Sequence, residues 1–361
     1  MNRRNFLKTT GTVALATAAL PAWAQAAEKK ISVAVVGVAH IHTPGYLDLL
    51  RKRPDVRIQY VWDHDAGRAA RRAQETGAQA VADVKTIWDA PEISAVVILS
   101  ETNLHCQLVL AAAKAGKNMF VEKPLGITGH ESDEMAEAIE KAGVQFTTGY
   151  SQRTDAKHLF LKQELANGNF GTITRARATN CHNGALQGWF DGEWRWMAEP
   201  QIAGVGAFGD LGTHKLDILM WLLGDVASVT ADLRAVTHRY GDCDETGEGL
   251  LQFRSGVIGT LAAGWLDIDD PVKLQISGTQ GHAVIYNDDL FYRSEKVPGS
   301  DNRKPVANLP PGPKPPLEQF LDAVAGDQSQ PLVKPREAAA RVKVMAAMYR
   351  ASKHHAWIEC T

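Results

Sequence analysis

The stretch Ile31-Ser-Val-Ala-Val-Val-Gly37-Val-Ala39-His40-Ile41-His42 decides the fold of this chain. Its apolar, β-branched first half predicts a buried strand, and a helix is expected to start near Pro44. Dinucleotide-binding folds place G-x-G-x-x-G at such a strand-to-helix turn, where glycine lets a pyrophosphate approach the backbone. Only Gly37 of the three glycines is present, because Ala39 and His42 occupy the other positions. We still expect the turn, including His40 and Ile41, to bind a dinucleotide.

The segments that follow alternate between strand and helix patterns up to Tyr150. This alternation predicts a doubly wound parallel sheet of the Rossmann type, an α/β fold. After Tyr150 several extended segments occur in succession, among them GLLQF and VIGTLAAGW, joined by a turn at Arg254-Ser255-Gly256. They predict a C-terminal α+β domain with a mostly antiparallel open sheet, so we divide the chain into residues 27–150 and 151–361.

The composition limits the class of protein. The chain has 361 residues, 45% of them apolar, and a net charge of -2. This length predicts two globular domains, and the near-neutral charge argues against a nucleic-acid partner. Cys106, Cys181, Cys243 and Cys360 are far apart and form no Cys-x-x-Cys pair, which predicts buried free thiols.

The N-terminus has the pattern of a targeting segment. Asn2-Arg3-Arg4-Asn5-Phe6-Leu7-Lys8 precedes an uncharged Ala- and Thr-rich run that is less hydrophobic than a membrane-spanning helix. The pattern resembles a twin-arginine signal peptide, here residues 1–26. The resemblance implies the twin-arginine export machinery as a partner, no membrane span in the mature protein, and a periplasmic location.

Asp63 closes the second predicted strand, where dinucleotide folds place an acid that binds the adenosine ribose hydroxyls. A carboxylate at this position favours NAD over NADP. Arg68 is close enough in sequence to bind a 2'-phosphate, so NADP stays open.

The string AGKNMFVEKPLG, residues 115–126, places Glu122 and Lys123 at the carboxyl end of a predicted strand, where open parallel sheets bind ligands. This string resembles the Gfo/Idh/MocA family of glucose-fructose oxidoreductase and inositol dehydrogenase. The resemblance implies a nicotinamide-dependent oxidoreductase acting on CH-OH groups, with Lys123 in the active site and Glu122 beside the cofactor. Ser100-Glu101-Thr102 replaces the family's Thr-Pro-Asn, and Ser100 is expected near the cofactor.

The helix predicted from about Gly209 to Leu223 places Asp210, His214 and Asp217 on one face by their spacing. The family resemblance implies that Asp210 and His214 face the nicotinamide and the substrate. Histidine suits proton removal from a hydroxyl group near neutral pH. Arg153 resembles a family position near the substrate pocket, although a charge on a surface turn is an alternative interpretation.

Three tryptophans, Trp189, Trp194 and Trp196, offer flat faces to a sugar ring or pack in a core or lid. We predict no metal site, because no acid or cysteine accompanies His40, His42 and His182 at a useful spacing.

Three functions remain open on the sequence. The first is hydride transfer between NAD(P), expected to be tightly bound, and a sugar or polyol. The second is a redox-neutral NAD-dependent glycosidase or epimerase of the same fold, and the third is a non-catalytic sugar-binding protein. A homo-oligomer formed through the second sheet is also expected from the resemblance.

Overall fold

The computed structural model describes residues 30–360. The predicted twin-arginine segment, residues 1–26, lies outside this range. Within residues 30–360, no helix is both long enough and apolar enough to cross a membrane.

The first unit alternates strands and helices, as the sequence predicts. Thr128 begins α5 by accepting the Glu131 N–H at 3.1 Å, and Gly143 ends it with a φ of 66°. The elements of this unit are β1 Ile31–Val38, α1 Thr43–Lys52, β2 Val56–Trp62, α2 Ala66–Thr76, β3 Gln79–Ala80, α3 Lys85–Trp88, β4 Ala95–Leu99, α4 His105–Lys114, β5 Asn118–Val121, α5 Gly129–Ala142 and β6 Phe146–Thr148.

These six strands form one parallel sheet in the order β3-β2-β1-β4-β5-β6. The central strand β1 is buried on both faces because helices cover the sheet on each side, which explains its continuous apolar run. The strand order reverses between β1 and β4. Open parallel sheets bind ligands outside the carboxyl ends of the strands at this point.

The second unit is built on a nine-stranded sheet in the order β14-β13-β12-β11-β7-β10-β9-β8-β15. Among its strand pairs within residues 30–360, only β7 and β10 are parallel. The predicted α/β fold with a mostly antiparallel second sheet is therefore confirmed. The elements are α6 Ala156–Ala166, β7 Ile173–Cys181, α7 Pro200–Ala203, α8 Ala207–Leu223, β8 Val226–Arg234, β9 Thr246–Phe253, β10 Ile258–Gly264, β11 Val272–Gly278, β12 Gly281–Tyr286, β13 Asp289–Ser294, β14 Asp301–Pro305, α9 Pro316–Val324, α10 Pro335–His354 and β15 Ile358–Glu359.

The last two helices join the units. In α9, Leu317, Phe320 and Leu321 pack into the core beneath β1. Helix α10 places Ala338 in the core of the first unit and Met348 in the core of the second. The chain segment after residue 315 thus returns to the first unit. There α9 contacts β5 and β6, and α10 contacts both α5 and α8.

Candidate functional site

The turn after β1 requires glycine at its first position. Gly37 has a φ of 76°, and a Cβ added there would lie 2.4 Å from Cβ of Ser100, on the turn after β4. The two strand ends therefore meet at the switch point of the sheet. The His40 N–H donates to the Leu99 carbonyl at 3.0 Å, which holds the turn after β1 against β4.

Asp63 is buried, and both of its carboxylate oxygens accept hydrogen bonds from other groups of the protein. One oxygen accepts the Val38 N–H at 2.8 Å, and the other accepts the Asp65 N–H at 2.8 Å. Arg68 donates to Asp63 at 2.8 Å and to Glu101 at 2.7 Å. The predicted binding of ribose hydroxyls by Asp63 stays a prediction, because Asp63 supports the turn in this arrangement.

Residues 182–203, here called the cover segment, lie over the turn after β1. The Trp196 indole donates to the Ala39 carbonyl at 3.2 Å, and its ring centroid lies 5.9 Å from that of His40. Glu193 forms ion pairs with Arg71 and Arg72 on α2. The second unit thus closes over the edge where a cofactor is expected.

Of the three predicted sugar platforms, Trp196 is buried in a core with Phe190 and Trp265. Trp194 is partly buried against the same core. Trp189 is 41% exposed, and its ring centroid lies 4.7 Å from that of His182. Of the three, Trp189 is therefore the most exposed to solvent, and its role as a sugar platform stays a prediction.

Lys123 follows β5, so the sheet presents its side chain at the carboxyl edge. Its Nζ donates to Oδ1 of Asp210 at 2.7 Å, and the side chain is 2% exposed. The Lys123–Pro124 peptide bond is cis. The His105 imidazole lies 3.1 Å from the Pro124 carbonyl, where its Nδ1–H can donate and fix this turn.

Asp210 and His214 lie one turn apart on α8. Asp210 accepts the Trp265 indole N–H at 3.3 Å as well as the Lys123 ammonium. Burial raises the pKa of Asp210, but the adjacent Lys123 ammonium outweighs burial and holds this pKa below its ordinary value. Burial, reinforced by Lys123, lowers the pKa of His214 well below its ordinary value. Lys123 and Asp210 therefore form a buried ion pair beside a neutral imidazole.

His214 has an unused polar atom. Within residues 30–360 its Nδ1 is buried and has no hydrogen-bond partner. The ring packs edge-on against Tyr150, whose hydroxyl lies 3.1 Å from Oγ1 of Thr213. A buried nitrogen without a partner costs free energy, which is the arrangement expected of a group that meets a ligand.

Asp217 does not join Asp210 and His214, contrary to our prediction that the three converge. Its carboxylate accepts from Arg153 at 2.6 Å and from Arg341 on α10 at 2.9 Å. Arg153 also donates to Glu337 at 2.7 Å. Arg153 is a member of this ion cluster in the structure, and its proposed contact with substrate stays a prediction.

An acid does accompany the histidines of the turn. Oε1 of Glu122 lies 2.6 Å from Nδ1 of His42 and 3.7 Å from Nδ1 of His40. Oε2 of Glu122 accepts the Tyr46 hydroxyl at 3.0 Å. The sequence did not reveal this cluster, because Glu122 is distant from the histidines in the chain and only the sheet brings the strand ends together.

A small cavity of about 10 Å³ is lined by His40, Lys123, Trp196 and Asp210. Ligand pockets usually measure about 300–1,000 Å³, so this cavity by itself does not hold a nicotinamide ring and a sugar. The close approach at Gly37 and the unpartnered His214 nitrogen both fit a bound nicotinamide dinucleotide. A larger cavity of about 270 Å³, lined by Gly204, Thr213 and Tyr349, contains neither Lys123 nor Asp210.

Known proteins resemble this chain over both units. Levoglucosan dehydrogenase of Pseudarthrobacter phenanthrenivorans is 28% identical over 247 residues, 61% of this chain and 62% of that protein. The scyllo-inositol 2-dehydrogenase (NAD(+)) of Bacillus subtilis is 27% identical over 265 residues, 72% of this chain and 74% of that protein. A structure of levoglucosan dehydrogenase in complex with NADH has the same fold, with a TM-score of 0.77 and 22% identity over 92% of this chain and 99% of that chain.

Family models agree with this likeness. Residues 31–150 match the NAD-binding Rossmann fold of an oxidoreductase family, and residues 158–284 match the C-terminal domain of the same family. The two matches together cover more than half of the chain. The chain therefore belongs to the GFO/IDH/MocA family of oxidoreductases, with an NAD-binding Rossmann domain and the C-terminal domain of that family.

Proposed function

We propose that this protein transfers a hydride between a nicotinamide dinucleotide and a CH-OH carbon of a cyclic sugar or polyol. The observation that carries the proposal is the group Lys123, Asp210 and His214, in which a buried ion pair lies beside an imidazole, at the junction between the carboxyl edge of the parallel sheet and α8. The relatives named above act on levoglucosan and scyllo-inositol, which are both cyclic and polyhydroxylated.

Each residue of this group has a role in oxidation. Removal of hydride from a carbinol carbon requires that the hydroxyl proton leave as well. When bound, a nicotinamide dinucleotide supplies the hydride acceptor. His214 is neutral and accepts the hydroxyl proton, whereas Lys123 donates a hydrogen bond that orients the same oxygen. Asp210 accepts the Lys123 ammonium and so holds it in place.

The charges around Asp63 favour NAD over NADP. Arg68, the basic group nearest to the ribose position, already pairs with Asp63 and Glu101. A 2'-phosphate at this position would face two carboxylates with one arginine between them. Electrostatic repulsion would therefore weaken NADP binding.

The experiment is a titration of purified protein with NAD⁺ and NADP⁺, followed by assay with inositols, anhydro sugars and hexoses. We expect tighter binding of NAD⁺ and formation of NADH, measured by its near-ultraviolet absorbance. Absence of binding to both dinucleotides would leave the non-catalytic alternative.

We also propose that the protein is exported by the twin-arginine route and retains its cofactor. The N-terminal pattern supports export, and a folded exported enzyme can carry a bound dinucleotide into a compartment that has little. The cover segment, hydrogen-bonded to Ala39 through Trp196, would slow release of the dinucleotide.

Retention of the cofactor favours a second candidate function. In it the hydride returns to the sugar within the same cycle, and the reaction is redox-neutral.

Two measurements test these proposals. Dialysed protein is denatured and its supernatant analysed by chromatography, and we expect a nicotinamide dinucleotide. Protein free of dinucleotide whose turnover depends strictly on added NAD⁺ would contradict retention of the cofactor.

The export route is tested by replacement of both Arg3 and Arg4 by lysine. This change should abolish the periplasmic location in cell fractionation, and an unchanged location would rule out this export route.

We further propose a homo-oligomer that forms through the outer face of the second sheet. Ile258 and Tyr286 are 54% and 46% exposed on this sheet. Light scattering should give a mass greater than that of one chain, and a monomeric mass at micromolar concentration would contradict the proposal.

A further inference from the structure

His40, His42 and Glu122 form a cluster that takes no part in the proton transfer proposed above. One ligand atom from each residue lies within 4.8 Å of the other two. His40 and Glu122 are buried, whereas the side chain of His42 is 46% exposed. Two residues of the cluster are therefore shielded from solvent, and the third is accessible to it.

The Glu122 carboxyl group is fully buried, and a buried polar group requires partners. The ammonium of Lys123, the next residue in the chain, donates its hydrogen bond to Asp210 instead. Among residues 30–360, the polar side chains bonded to Glu122 are therefore a neutral phenol, Tyr46, and the imidazole of His42.

The same two histidines explain a departure from the dinucleotide fingerprint. His42 occupies the position of the third glycine, where a small residue lets the helix pack closely against the strand. His40 lies two residues earlier, and both residues follow β1 while Glu122 follows β5. Since parallel strands end at one edge, the fold places a His-x-His pair and a carboxylate at the N-terminus of α1.

We propose that His40, His42 and Glu122 bind one divalent transition-metal ion of the zinc class. Two imidazoles and one carboxylate are the ligands of many open zinc sites. Bonds of about 2.0–2.2 Å place tetrahedral ligand atoms about 3.4 Å apart. The separation of 3.7 Å between Nδ1 of His40 and Oε1 of Glu122 is near this value. Nδ1 of His42 lies 2.6 Å from the same oxygen, so its ring must move outward by about 0.8 Å. The ion would replace the hydrogen bond that Nδ1 of His40 accepts from the His42 N–H at 3.2 Å. Tyr46 would orient the carboxylate.

The free coordination positions would take an oxygen ligand. His40 lines the same cavity as Lys123 and Asp210, so an ion bonded to it would face that cavity. The oxygen comes either from a diphosphate at the turn or from a sugar hydroxyl. An ion here would supply positive charge where the missing glycines reduce backbone contact with a phosphate. This metal site does not depend on the proposed hydride transfer.

The test is metal binding by the whole protein after treatment with a chelator. Titration with Co²⁺, followed by its visible absorption bands, should show one ion per chain with micromolar affinity or tighter, displaced by Zn²⁺. His42→Ala should abolish the bands, and Tyr46→Phe should weaken binding by about tenfold. Because His42 is half-exposed, the His42→Ala variant should fold, which circular dichroism checks.

The matched control is His64→Ala. His64 also pairs with a buried acid, Glu101 at 3.0 Å, and its side chain is 52% exposed. Within residues 30–360, no third His, Cys, Asp or Glu lies close enough to this pair to complete a metal site. The variant should therefore bind Co²⁺ as the wild type does. Absence of stoichiometric binding in the wild type, or equal binding in His42→Ala, would overturn the proposal.

The source of the oxygen ligand is tested on the Co²⁺ protein. A spectral change on addition of inorganic diphosphate or NAD⁺ would assign the free positions to phosphate oxygen, and a change with inositol alone would assign them to a hydroxyl. Unchanged bands with all three would contradict an open coordination position.

Discussion

At the scale of single residues, His214 and Lys123 carry the proposed proton transfer. His214→Ala and Lys123→Ala should each reduce turnover by about a hundredfold or more, because a positioned proton-transfer group contributes about 10²–10⁴-fold. Steady-state kinetics on folded variants measures this effect. His130→Ala on α5 is the control. Normal turnover in either active-site variant would remove that residue from the mechanism.

The protonation of His214 sets the acid limit of activity. Its pKa is lowered from 6.5 by burial and by Lys123, so the base form persists below pH 6.5. The acid limb of kcat/KM should therefore lie well below pH 6.5, measured across a buffer series in which the protein stays folded. An inflection at or above pH 6.5 would show that His214 is not the base.

The sequence identified residues that the structure brings together at the candidate site, but not all of their partners. Lys123 and Asp210 were both predicted, and they are in contact. Glu122 with His42 and Asp210 with Trp265 were missed, because each pair is far apart in sequence and meets through sheet packing alone. Asp217 was assigned to the wrong cluster because helical spacing fixes the face of a helix but not what packs on it.

At the scale of elements, the Asp217 ion cluster connects α8 with α10. Asp217→Asn should reduce the free energy of unfolding by about 3–5 kcal/mol, because it leaves the buried Arg341 and the partly buried Arg153 with one carboxylate fewer. Chemical denaturation measures the change. Asp232→Asn, which removes an exposed pair with Arg234, should leave stability nearly unchanged. Equal effects of the two substitutions would contradict the structural role of the cluster.

The elements themselves follow closely from sequence patterns. Helix α8 begins two residues before the predicted Gly209 and ends at the predicted Leu223. The return of α9 and α10 to the first unit was not predicted, since periodicity reveals that a helix has an apolar face but not which core receives it. The cover segment was foreseen only in the alternative that its tryptophans pack in a core or lid, because it consists mainly of turns, which carry little periodic signal.

At the scale of the whole molecule, buried histidines link stability to pH. Burial lowers the pKa of His158 from 6.5 to about 4, and burial also lowers the pKa of His105 and His214. The unfolded chain therefore binds more protons than the folded chain below pH 6.5. Stability should be fully present above pH 6.5 and fall by several kcal/mol as the pH approaches 4, since one unit of pKa difference corresponds to about 1.4 kcal/mol.

Thermal unfolding across this range measures the pH effect. The Tm of the wild type should fall steadily below pH 6.5, and His158→Gln should reduce the slope. A Tm that stays constant between pH 7 and pH 4 would contradict the neutral state of these histidines.

The central claim, hydride transfer at the junction of the two units, is tested most directly with deuterium. The protein is incubated with NAD⁺ and a panel of inositols, anhydro sugars and hexoses that carry deuterium on their CH-OH carbons. The nicotinamide dinucleotide is then recovered by denaturation and analysed by mass spectrometry. We predict deuterium on the nicotinamide ring with at least one substrate, and loss of this label in His214→Ala. Unlabelled dinucleotide from the wild type with every substrate in the panel would contradict the account.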